Sequence, residues 1–212
     1  MNNVPSPRRW LLSGYRALLA GLTLSALLYQ FSYSSQRVGF NPVNFWAYFT
    51  NLSNLLAAAV FIWGAIRPMA PASAARDFWR GGALLCMTLT GAVFSLLLSA
   101  LEVRVLPGVN IVVHYVMPVG VLADWLLDPA QARQKLRAGL RWLAFPVAYG
   151  VVTLIRGHFV DWYPYPFLSP AKIGYGGVAV YAVCILAGLV VLIWGLVALS
   201  NLRRKARTAS AG

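Results

Sequence analysis

Charge is what this sequence has least of. Only 11% of its 212 residues are Asp, Glu, Lys or Arg, against about 25% in a soluble globular domain. With 59% hydrophobic residues and a mean hydropathy of +0.66, that shortage excludes an ordinary soluble fold. Cysteine is scarce too. Cys86 and Cys184 both fall inside apolar stretches, where a thiol behaves as a small inert hydrophobe. They give no disulfide framework and no metal-ligand spacing. No metal site and no cofactor signature is read from the chain. No internal repeat is visible, which weighs against an inverted-repeat transporter. The apolar–polar alternation of a transmembrane β-barrel strand is also missing.

What the sequence does have is long apolar runs. About 20 apolar residues in a helix cross the hydrocarbon of a bilayer, and a helix satisfies its own backbone there. Six spans are expected, at residues 10–32, 45–66, 79–101, 109–127, 140–156 and 175–199. Between them lie Asn41-Pro42, the stretch 68–75, Pro107-Gly108, Asp128-Pro129 and Tyr163-Pro164-Tyr165-Pro166, all of which interrupt helices. The expectation is an all-α, integral-membrane bundle of six transmembrane helices, with residues 1–212 forming a single transmembrane domain. Arg8-Arg9 followed by an apolar run resembles a signal peptide, but the run is too long and no small-x-small site follows it. It is read as a retained first helix.

The net charge of +13 would suggest a nucleic-acid partner in a soluble protein. Its placement argues for topology instead. One set of alternate connections holds Arg8, Arg9, Arg16, Arg67, Arg76, Arg80, Arg133, Lys135, Arg137, Arg141, Arg203, Arg204, Lys205 and Arg207. The other holds Arg37, Arg104, Arg156 and Lys172. The positive-inside rule then puts both termini in the cytoplasm. The expected partners are membrane lipids, with no nucleic acid, and the sequence leaves the oligomeric state open.

Two spans carry polar groups that need a reason. At 100° per residue, Thr50, Ser53, Asn54 and Ala57 share one face of the second span, with Asn51 and Ala58 at its edge. Small and polar residues pack membrane helices closely, and a hydroxyl can bond its own backbone. An asparagine amide in lipid is harder to satisfy, because both its oxygen and its NH₂ need partners. In the fourth span Asn110, His114, Pro118, Val121 and Trp125 line one face. An ionisable residue inside a span points to function by default. Pro118 lacks an N–H and displaces the carbonyl four residues back, so His114's carbonyl is expected to be freed and the helix to bend there. Counted from Phe45 and Val109, Thr50 and His114 each lie about 8 Å into the membrane from the outer side. Asp124, about 15 Å deeper than His114, is expected near the inner surface with a loop arginine. In the third span Thr88, Gly91, Ala92, Ser95, Ser99 and Glu102 form a stripe, which places Glu102 near His114 as a possible partner. Arg156, His158 and Asp161 end the fifth span on the same side, beside the interfacial aromatics Trp162, Tyr163, Tyr165 and Phe167.

Three segments carry a resemblance. These are Phe45-Trp46-Ala47-Tyr48-Phe49-Thr50-Asn51-Leu52-Ser53-Asn54, the stretch Asn110–Pro118, and Trp162–Leu168 ending in Tyr165-Pro166-Phe167-Leu168. In order and spacing they resemble the androgen-induced gene 1 / androgen-dependent TFPI-regulating protein family, and within it the bacterial six-helix branch. The resemblance implies a multi-pass protein of the bacterial inner membrane. It also implies a hydrolase of fatty acid esters of hydroxy fatty acids or similar lipids. Thr50 would be the nucleophile and His114 the base, and His158 stands near a family histidine. The chain departs from the animal members at Asn51, Ser53 and Asn54, and is one residue shorter between His114 and Pro118. Asn51, Ser53, Asn54 and Asn110 are candidates for oxyanion or other polar support. Arg156 or Lys172 would hold a substrate carboxylate, and His158 or Glu102 would orient the site. A base role for His114 requires it to reach Thr50. The alternatives are a small transporter or channel lined by the polar stripes, or a membrane protein without chemistry of its own.

Overall fold

The computed structural model describes residues 6–67, 73–101, 105–130 and 133–209, with side chains described through residue 204. All regular structure among them is helical. Six helical segments are long and apolar enough to cross a membrane: Pro7–Ser35, Phe49–Ile66, Ala74–Leu98, Pro107–Leu127, Leu136–Val160 and Pro170–Arg204. The chain divides into two compact units, residues 1–132 and 133–212.

The first unit holds four spans. The first is α1 (Pro7–Ser35), whose buried residues Ser13, Arg16, Leu19, Thr23, Ala26 and Gln30 recur every three or four positions along one face. Then come the short α2 (Pro42–Trp46) and the second span α3 (Phe49–Ile66). The third span is α4 (Ala74–Val93), which ends in a π-helical turn at Phe94–Leu98. The fourth is α5 (Pro107–Ile111), a second π-helical turn at Val112–Val116, and α6 (Met117–Leu127). Each span packs on its chain neighbours and α6 returns to α1, closing a ring of four. Small residues permit the close approaches. A Cβ on Gly120 would lie 2.6 Å from Leu19.

The expected second span starts late. Residues 45–46 belong to α2, and a new helix begins at Phe49 after Tyr48 in extended conformation. Asn41 caps α2 by accepting from the Val43 and Asn44 N–H groups. Phe31, Phe40, Phe45 and Trp46 then pin α2 against the end of α1, with ring centroids 5.0–6.2 Å apart. Ala47 and Tyr48 are ordinary helix residues, so local sequence carries no sign of this break.

At the opposite end of the ring lies a buried cluster of charge. Arg16 Nε is 2.6 Å from Asp124 Oδ1, and Arg80 Nη2 is 2.7 Å from Asp124 Oδ2. Arg80 also donates to the Asp124 carbonyl at 2.9 Å. Asp128 receives Arg16 at 2.7 Å and is bonded by Arg76. The partners of Asp124 are therefore helix arginines from α1 and α4, not the loop arginine expected. The Arg16 stem packs against α3, where a Cβ on Gly64 would sit 3.0 Å from Arg16 Cδ.

In the second unit, α7 (Leu136–Leu140) and a 3₁₀ turn lead into α8 (Ala144–Val160). The sixth span is α9 (Pro170–Ala209), kinked at Gly174, whose φ is 68°. At 40 residues α9 is about 60 Å long, roughly twice the thickness of bilayer hydrocarbon. Gln134 and Asn201 exchange two 3.0 Å hydrogen bonds between the start of the unit and α9. Asp161 ends α8 in the left-handed region (φ 48°). The chain then folds back so that Tyr163 occupies the space where a Cβ on Gly157 would be.

A buried ion pair that loses one partner leaves an uncompensated charge behind. Asp124→Ala is expected to destabilise the protein by about 3–5 kcal/mol, read from denaturation midpoints in mixed micelles. Burial alone would raise the Asp128 carboxyl, but Arg80, Arg16 and Arg76 outweigh it and hold the group below the usual carboxylate range. A depressed carboxylate stabilises the fold above its unfolded pKa, and the contribution fades as pH falls through the folded value. Asp128→Asn should therefore melt below the unmodified protein at pH 7, and the gap should close in acid below about pH 4.

Candidate active site

Pro118 determines the local backbone. It has no N–H to give, and the N–H of Met117 just before it bonds the Val112 carbonyl five residues back. The result is the π-helical turn Val112–Val116, a feature frequent at functional sites. Val113's carbonyl thereby loses both helical donors, one shifted to Val112 and the other absent. A side chain replaces them: Asn54 Nδ2 donates to it at 3.1 Å. The freed carbonyl that gains a partner is thus Val113's, one residue before the one expected, because the π turn shifts the register by one.

The same Asn54 nitrogen donates to the Thr50 carbonyl at 2.8 Å. Asn54 is fully buried, and its two N–H groups are committed to backbone. That makes it a strut between α3 and the π turn: of the two roles expected of it, it gives polar support and has no donor left for an oxyanion. Ser53 lies 2.8 Å from Thr90 Oγ1, and Thr90 donates to the Cys86 carbonyl at 3.0 Å. Ser53 is likewise spent on packing. Asn51 is tied to the Phe45 carbonyl at 2.7 Å, joining α2 to the first turn of α3.

Thr50 and His114 meet. Thr50 Oγ1 is 3.2 Å from His114 Nε2, which is hydrogen-bonding distance. The other ring nitrogen, Nδ1, lies 2.8 Å from Asn110 Oδ1. Phe94 stacks on the imidazole with centroids 3.9 Å apart and planes 17° from parallel. Phe94 opens the π turn of the third span, where the Ser99 N–H bonds its carbonyl at 2.8 Å. Two π turns on adjacent spans thus press an aromatic ring onto the histidine. Gly91 allows the approach, since a Cβ there would stand 3.2 Å from Pro118 and 3.4 Å from the His114 carbonyl.

Because α3 begins at Phe49, Thr50 lies in the first helical turn rather than about 8 Å along a helix. The break before Tyr48 changes that count but keeps the two side chains level. Thr50's hydroxyl therefore sits at the positive end of a helix dipole.

The remaining candidates are Glu102, Arg156, His158 and Lys172. Glu102 lies outside the described residues. The third span's buried face is Met87, Thr90, Phe94 and Leu98, while Ala92, Ser95 and Ser99 of the expected stripe are exposed. In lipid, small polar residues need not face inward when their hydroxyls bond their own helix, as Ser99 bonds the Ser95 carbonyl at 2.9 Å. Phe94 and Thr90 were not singled out by sequence. A buried period of three and four over Met87, Thr90, Phe94 and Leu98 is there to be read, but continuous apolarity hides it. Arg156, His158 and Lys172 belong to the second unit. Arg156 lies over the Trp162 ring at 5.2 Å, and His158 and Lys172 are exposed. No protein-family model, curated protein or solved structure matches this chain.

Removing the Asn54 strut orphans a buried carbonyl. Asn54→Ala is expected to cost about 1–3 kcal/mol in the same denaturation measurement. An unchanged midpoint would mean that the Val113 carbonyl finds another donor.

Proposed function

We propose that this multi-pass protein is an intramembrane ester hydrolase with Thr50 as nucleophile and His114 as general base. The observation that carries the reading is the 3.2 Å approach of Thr50 Oγ1 to His114 Nε2 between two apolar spans. A threonine hydroxyl is a weak nucleophile until a neighbouring base takes its proton. In the proposed reaction Nε2 removes that proton as Oγ1 attacks the ester carbonyl. The tetrahedral intermediate collapses, and His114 returns the proton to the departing alcohol. Water, activated by the same nitrogen, then releases the acid from Thr50. Stabilisation of the oxyanion is assigned to the positive end of α3 and to Asn51, whose amide has a second N–H beyond the one given to Phe45.

The surroundings favour a lipid substrate, because the pair lies on helices whose outer faces are apolar and exposed. Fatty acid esters of hydroxy fatty acids are the class implied by the resemblance of residues 45–54, 110–118 and 162–168 to the androgen-induced gene 1 family. Membership of that family and residence in a bacterial inner membrane belong to the same proposal.

Hydrolysis of long-chain esters in mixed micelles tests it. Thr50→Ala and His114→Ala should each lower kcat/KM by at least about 10²-fold, with Thr50→Ser retaining activity. Ester turnover equal in all four proteins, or absent from the unmodified one across ester classes, would overturn the assignment.

A further inference from the structure

We propose that Asn110 is a positioning residue that holds His114 in the one tautomer able to act as a base. This rests on the hydrolase reading for its consequence, but not for its geometry. A neutral imidazole carries one proton, so one ring nitrogen donates and the other accepts. Asn110 Oδ1, 2.8 Å from Nδ1, is an acceptor only. The proton therefore lies on Nδ1, and the lone pair lies on Nε2, 3.2 Å from the Thr50 hydroxyl. With the opposite tautomer, Nε2–H would point at Oγ1 and no proton could leave the threonine.

Two further features hold the arrangement. Asn110 stands on α5 immediately before the π turn that carries His114, so the pair shares one continuous stretch of backbone. Phe94 covers one face of the ring and restricts its rotation. The arrangement parallels a nucleophile–base–orienter triad with an amide in place of the carboxylate. An amide fits a buried site, because its oxygen accepts the hydrogen bond from Nδ1–H without placing a charge in lipid.

The chain has only two histidines, His114 and His158, so ¹⁵N-histidine NMR in micelles reads the tautomer directly. His158→Gln identifies the His114 signals. The unmodified protein should show His114 with Nδ1 protonated and Nε2 unprotonated at neutral pH. Asn110→Leu should lose that preference and lower kcat for ester hydrolysis at least about tenfold with KM unchanged. Asn110→Asp, which keeps an acceptor oxygen, should restore both. The proposal is overturned if the unmodified protein carries the proton on Nε2, or if Asn110→Leu keeps the Nδ1 tautomer. If Asn110→Leu does not fold, the unmodified protein's tautomer still decides. An unmodified protein with the Nδ1 tautomer but no hydrolysis would sink the hydrolase reading and leave the positioning assignment standing.

Discussion

The hydrogen bond from Asn54 to the Val113 carbonyl joins the two spans that carry the candidate chemistry. It exists because lipid offers no water to an orphaned backbone group. Pro118 and the π turn create the orphan, and Asn54 satisfies it while also gripping the Thr50 carbonyl. One amide thus ties the turn holding Thr50 to the turn holding His114. The stacking of Phe94 on the imidazole and the close packing of Gly91 against Pro118 follow from the same approach of helices.

The four-span unit divides its polar groups between its two ends. At one end Asp77, Asp124 and Asp128 are paired with Arg16, Arg76 and Arg80, and charge is matched by charge. At the other end Thr50, His114 and Asn110 form a chain of uncharged hydrogen-bonding groups. The first arrangement gains Coulomb energy in a low-dielectric interior and fixes three spans relative to one another. The second keeps a hydroxyl and an imidazole in contact without placing a charge in lipid. A rigid ionic end and a neutral hydrogen-bonded end would suit the proposed hydrolase, in which a nucleophile and base are held at fixed separation.

Much of this was legible in the sequence. Hydropathy located all six apolar segments, and the face of α3 bearing Ser53, Asn54 and Ala57 is buried as the 3.6-residue period required. The face of the fourth span with His114, Val121 and Trp125 is buried too. What stayed hidden depends on tertiary contact. The break before Tyr48 is set by an aromatic cluster that includes Phe31 of another helix. Phe94 escaped notice because, in lipid, a core-facing phenylalanine and a lipid-facing one look alike. The polarity of Asn54 was visible, but its commitment to two carbonyls was not. That commitment depends on a π turn 59 residues away.

The central claim is that Thr50 is an activated nucleophile. Reaction with a long-chain fluorophosphonate, followed by mass-spectrometric mapping of the adduct, tests it most directly. The account predicts a single phosphonyl adduct on Thr50, absent from Thr50→Ala and from folded His114→Ala. An adduct on another residue, or reaction that persists unchanged in Thr50→Ala, would contradict it.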